Sequence, residues 1–186
     1  MGKLVDNDLT VMSLEPLRIG KVVQFEGVGV LARGDVLIVV YDKDATAERS
    51  RWLYAVAGQF ALACEGNFLV LLVISARSKP PDQATREVDA AGYARFVPKM
   101  RRLVVVPEGS GFRASLVRLV IGAYVTLTGK AALVVASNVE DGIARLNESK
   151  SMLTPSVAQL AADVSTLRAT LETSAGPRVS GRAANK

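Results

Sequence analysis

Phe68-Leu69-Val70-Leu71-Leu72-Val73-Ile74 is the longest unbroken apolar run in the chain. Seven residues are far too few to cross a bilayer, which takes about 20 in a helix. They suit a strand, and a strand apolar at every position must be covered on both faces. A parallel sheet sandwiched between helices produces that pattern. The flanks agree. Upstream, Trp52, Val56, Phe60 and Ala63 recur at helical spacing, with Leu53 and Leu62 beside them. Asp44 or Thr46 can cap that helix, Glu48 favours its first turn, and Gly66 closes it. Downstream, Pro80-Pro81-Asp82 opens a second helix, expected to reach about Met100 with Pro98 near its end.

Working outward, Val22–Phe25, Val28–Ala32 and Val36–Tyr41 are rich in β-branched residues, and Arg33-Gly34-Asp35 separates the last two as a turn. An opening hairpin is expected, with a bulge near Gly27 or Gly29. Leu103–Val106 is a short strand closed by Pro107, Phe112–Leu127 a helix ended by Gly129, and Leu133–Ala136 a last core strand. Asn138 then caps a helix to about Asn147. Strands separated by helices require parallel crossovers. The predicted fold is therefore α/β: an open, mixed, mostly parallel sheet with an opening hairpin, flanking helices and a C-terminal amphipathic helix. That last helix is expected to start at Thr154-Pro155, with Thr154 as its cap and proline at its first position. The organisation expected is an arm over 1–18, the α/β domain over 19–149, the amphipathic helix over 150–173 and a disordered basic tail over 174–186.

A chain of 186 residues, 49% apolar, can bury a core without disulfides or metal. With only 5% aromatic residues, aliphatic side chains must fill it. Cys64 is the sole cysteine, so no internal disulfide can form, and a cytoplasmic location is expected. Met1 to Asp6 does not resemble a signal peptide, and Asp6 stands where a myristoylation motif needs Ser or Thr. The net charge of +5 suggests nucleic acid, but residues 150–186 hold five basic and two acidic side chains. The preceding 149 residues then carry only +2, without the concentrated basic face of a nucleic-acid binder.

The element order from Lys21 to Asn147 resembles the STAS family, the fold of anti-sigma-factor antagonists. The match lies in the hairpin Val22–Tyr41, the central strand Phe68–Ile74, the short strand Leu103–Val106 and the final unit Leu133–Leu146. Phe112–Gly122 also looks like the penultimate helix of divergent bacterial STAS-like domains. In the antagonists, the loop after the central strand carries an Asp-Ser-Ser-Gly-like motif whose serine is phosphorylated by a partner kinase. Here that stretch is Ile74-Ser75-Ala76-Arg77-Ser78-Lys79, without the Asp and Gly. The resemblance implies a non-enzymatic interaction module and makes Ser75 and Ser78 the candidate phosphorylation sites, against the alternative of ordinary loop serines.

Catalytic classes fall away by composition. The chain has no histidine, which removes the commonest general base and metal ligand and excludes Ser-His-Asp and Cys-His chemistry. Cys64 alone cannot make a zinc site and reads as core packing. Gly27-Val28-Gly29 precedes a strand and lacks a dinucleotide fingerprint. Gly109, Ser110 and Gly111, with Arg113 close by, lie between strand and helix, where backbone N–H groups can cradle an anion; a plain turn is the simpler reading. Asp42 and Asp44 could hold Mg²⁺ in an enzyme, yet capping and solvation explain them more simply. Arg95, Lys99, Arg101 and Arg102 form the densest basic cluster, readable as a phosphate or acidic-partner site or as a solvated helix end.

Two apolar surfaces exceed what one domain requires. The helix 112–127 is apolar around most of its circumference, including Val117, Ile121, Tyr124 and Val125. Leu153, Val157, Leu160, Val164, Leu167 and Leu171 alternate in steps of four and three, the seam of a coiled coil or the docking stripe of a helix on its own domain. The sequence therefore predicts a non-enzymatic protein–protein interaction or regulatory module, self-associating through these residues. It predicts no cofactor, metal, nucleic acid or membrane span. The alternative is a small-molecule or lipid-binding domain with its pocket near helix 112–127.

Overall fold

The computed structural model describes residues 18–64, 67–109 and 133–174. Its centre is a six-stranded mixed sheet in sequential order: β1 (Val22–Phe25), β2 (Val28–Arg33), β3 (Val36–Tyr41), β4 (Phe68–Ile74), β5 (Met100–Pro107) and β6 (Leu133–Val135). The first three strands pair antiparallel and the rest are parallel. The opening hairpin is thus the first half of a three-stranded meander. Glu26 and Gly27 form its tight turn, with φ of 45° and 90°. The β1–β2 and β2–β3 registers run through Gly29 unbroken, so the expected bulge is absent there; the irregularity falls at Phe68/Leu69 instead.

Helices cover both faces. On one side α1 (Ala47–Ala63) and α2 (Gln83–Phe96) pack together over Val30, Leu37, Val39 and Phe68. On the other, α3 (Val139–Asn147) and α4 (Val157–Ser174) cover Ile38, Leu69, Leu71 and Val104. The apolar run of β4 divides between them: Leu69, Leu71 and Val73 are fully buried beneath α3 and α4, while Val70, Leu72 and Ile74, on the α1/α2 side, are partly buried.

Local chemistry sets the ends. Thr46 caps α1 by accepting the N–H of Arg49, and Asp44 turns elsewhere. Cys64 ends α1, half-buried against the core; Gly66 lies outside the described residues. Asp82 caps α2 through the N–H of Thr85. That helix stops at Phe96, short of Met100, because Pro98 lies in a 3₁₀ turn and the buried Met100 already begins β5. Asn138 caps α3 as expected. α4 starts at Val157 and not at Thr154-Pro155, and its cap is Ser156, accepting from Gln159 N at 3.2 Å, in place of the expected Thr154, whose hydroxyl donates to Asp35. Residues 1–17, 110–132 and 175–186 lie outside the described set, and with them almost all of the expected arm, the expected helix 112–127 and the tail.

Candidate functional site

In open α/β sheets ligands gather at the carboxyl ends of the parallel strands. Here those ends line a polar cleft of about 230 Å³. Asp42 follows β3, Ser75 follows β4, and Glu108 follows β5; Arg168, Leu171 and Glu172 of α4 form the facing wall. The sheet ladder continues past the strands, with Ser75 N donating to Tyr41 O and Glu108 N to Ile74 O, each at 2.8 Å. This fixes Ser75 between two carboxylates on neighbouring chain segments.

Each carboxylate holds a guanidinium. Arg77 meets Asp42 at 2.5 Å, and Arg168 pairs with Glu108. The Ser75 hydroxyl accepts the N–H of Arg77 at 3.3 Å, and a turn closes from Ser78 N to Ser75 O. Ser75 therefore lies half-buried in a cleft containing both arginines. Ser78 differs. It is buried, and its hydroxyl donates to the carbonyl of Lys43 at 2.9 Å, tying the β4–α2 loop to the β3–α1 loop. Of the two candidate serines, only Ser75 faces the cleft. Gly109 adopts φ +93° and lies so close to Ala76 that an added Cβ would stand 2.7 Å from that residue's Cβ. Two loops far apart in sequence are thus neighbours; Ser110, Gly111 and Arg113 lie outside the described residues.

The other candidates disperse. Asp44 accepts the N–H of Lys79 at 2.7 Å, with Lys79 Nζ at 3.6 Å, while Asp42 serves Arg77. Among the described residues no group of three Cys, Asp or Glu side chains stands close enough to hold a metal ion. The basic cluster also separates: Arg101 pairs with Asp35, Arg102 with Glu148 at 2.6 Å and the Arg145 carbonyl, and Arg95 lies over the Phe96 ring. None of the long-range pairings is legible in a one-dimensional charge pattern.

The seam of the last helix is docked on its own sheet. Leu160, Val164, Leu167 and Leu171 are buried in the core formed with β2, β3 and α3. This corrects the expectation that they form an outward interaction surface: the stripe covers Leu31, Ile38 and Val40 instead. Only Leu153 and Val157, at its beginning, remain exposed, next to the exposed Met152. Val117, Ile121, Tyr124 and Val125 lie outside the described residues. No described helix is long and apolar enough to cross a membrane.

A second cavity, about 180 Å³ and largely apolar, lies on the α1/α2 face between those helices and β3–β6. Compared with family models, curated proteins and solved structures, the chain matches none.

Proposed function

We propose that this chain is a non-catalytic, STAS-like regulatory module of the bacterial cytoplasm that engages a protein partner at the carboxyl edge of its sheet, with Ser75 as the switch. The observation that carries the reading is the Ser75 hydroxyl, set in a cleft with Arg77 and Arg168. A phosphoserine brings a charge of about −1.5 to −2 and strong acceptor oxygens. Placed on Ser75, it competes with Asp42 and Glu108 for the two guanidiniums and releases one or both carboxylates to the surface. The charge pattern of the edge then changes without any rearrangement of the sheet. Self-association enters this proposal only through Met152, Leu153 and Val157, because the rest of the seam is occupied within the chain.

The test is partner capture by crosslinking in extracts of the source cells. Three proteins are compared: the unmodified chain, a chain carrying phosphoserine at position 75, and Ser78→Ala. The expected result is a partner whose capture changes with phosphoserine and is retained in Ser78→Ala. Identical capture by unmodified and phosphorylated chains contradicts the reading.

A further inference from the structure

The apolar cavity on the α1/α2 face shares no lining residue with the Ser75 cleft and has a composition of its own. Leu72, Leu103, Val105 and Leu133 form the sheet wall. Tyr41, Tyr54 and Tyr93 supply three aromatic rings, and Asp89 of α2 supplies a carboxyl group within the same lining. Among the described residues no lysine or arginine forms an ion pair with Asp89. Burial pushes this carboxyl above its usual range, only partly offset by the neighbouring Ser50 hydroxyl. Charge withdrawn from water without an opposite charge is costly, and its strongest compensation is a cation delivered into the same low-dielectric space.

We propose that this cavity binds a small organic cation, an ammonium group carrying an apolar substituent, with the ammonium held by Asp89 and the tyrosine rings. Aromatic faces attract such cations through their quadrupoles, and more strongly in a desolvated site. The substituent lies against Leu72, Leu103 and Val105. An enclosed apolar cavity of about 150 Å³ admits a benzene ring, so a phenyl-sized substituent is the right scale. Lys79 and Arg86 also line the cavity and favour the opposite charge. Lys79 is 70% exposed and paired with Asp44, and Arg86 donates to the Pro81 carbonyl. Both are exposed and drawn towards water or their partners, whereas Asp89 is the more buried of the three.

The experiment is calorimetric titration of the full chain at neutral pH with benzylamine, benzyl alcohol and benzoate, which share a ring and differ in charge. Benzylamine should bind at least tenfold more tightly than the alcohol, and benzoate more weakly than either. Asp89→Asn should remove the preference for the amine and leave the alcohol unchanged. Equal affinity for amine and alcohol overturns the proposal. So does a preference for benzoate, which assigns the cavity to anions held by Lys79 and Arg86. Absence of binding by all three overturns it as well. The comparison of amine with alcohol on the unaltered chain is decisive even if the variant does not fold.

Discussion

Arg33 of β2 and Asp163 of α4 form a two-pronged ion pair, Nε to Oδ2 at 2.6 Å and Nη2 to Oδ1 at 2.7 Å. Asp163 interrupts the apolar stripe of α4 and is itself buried, with Gln159 donating to it at 3.0 Å. The pair ties the helix to β2 at a defined point within the apolar stripe. Removing one partner of a buried pair leaves the other unpaired, which typically costs about 3–5 kcal/mol. Arg33 is about one-third exposed, so water recovers part of that loss. Asp163→Ala should therefore destabilise the fold by about 2 kcal/mol, read from the urea midpoint with an unchanged slope. A change below about 0.5 kcal/mol, the range of ordinary surface substitutions, contradicts a structural role for the pair.

The same helix distinguishes docking within the chain from docking between chains. Leu167 is fully buried against β2, and Gly29 stands beneath it, where an added Cβ would lie 3.0 Å from Leu167 Cδ2. Leu167→Ala should cost about 2–5 kcal/mol, as large-to-small core changes do. The double change Leu160→Asp, Leu167→Asp should abolish cooperative unfolding by circular dichroism at every protein concentration. A folded double variant of lower mass in light scattering would instead place the stripe between subunits.

Gly142 of α3 sets two effects against each other. Alanine is worth about 1 kcal/mol over glycine inside a helix. A Cβ at this position, however, would stand 2.6 Å from Val106 Cγ2 and 3.3 Å from Leu71 Cδ1. Overpacking a closed core typically costs about 1–3 kcal/mol, so crowding wins. Gly142→Ala should lower the melting temperature, and Val106→Ala in the same chain should recover part of it. If Gly142→Ala raises the melting temperature, α3 has room to move off the sheet.

How much of this was legible beforehand depends on the range of the signal. The strands and the helix caps at Thr46 and Asn138 follow from local composition, and the structure has them. Parallel order follows from the alternation of elements. The destination of the last stripe does not: the steps of four and three over 153–171 suit a partner helix and a sheet equally, and only Leu31, Ile38 and Val40 across the core decide. Ser75 was singled out by position, whereas Asp42, Glu108 and Arg168 join it only after the chain has crossed the sheet twice. Asp89 gave no signal, being one acid on a polar helix. A carboxyl with no ion pair among the described residues is a property of the folded surroundings.

Asp89 also gives the protein an acid-side stability that is opposite in sign to that of an ordinary surface carboxylate. Its folded pKa lies above the unfolded value because burial penalises the charge. The native state then binds more protons than the unfolded state in the interval between the two values. Stability contributed by this group is full below the unfolded pKa, about 3.9, and is lost as pH rises through the folded value. Tyr41 shares the site, but burial moves its phenol upward, away from this interval. Asp141 runs the other way: Ser137 N–H and hydroxyl donate to its carboxylate and hold its pKa down, so its contribution is present above the unfolded pKa and is lost in acid. Asp89→Asn should accordingly raise the melting temperature at pH 7 and leave it nearly unchanged at pH 3, whereas Asp141→Asn should lower it at pH 7 and matter least at pH 2. Thermal scans of both variants across this range decide the matter. If Asp89→Asn melts below the parent at pH 7, the carboxylate has a cationic partner in the folded chain, and Asp89 is not left open to a ligand cation.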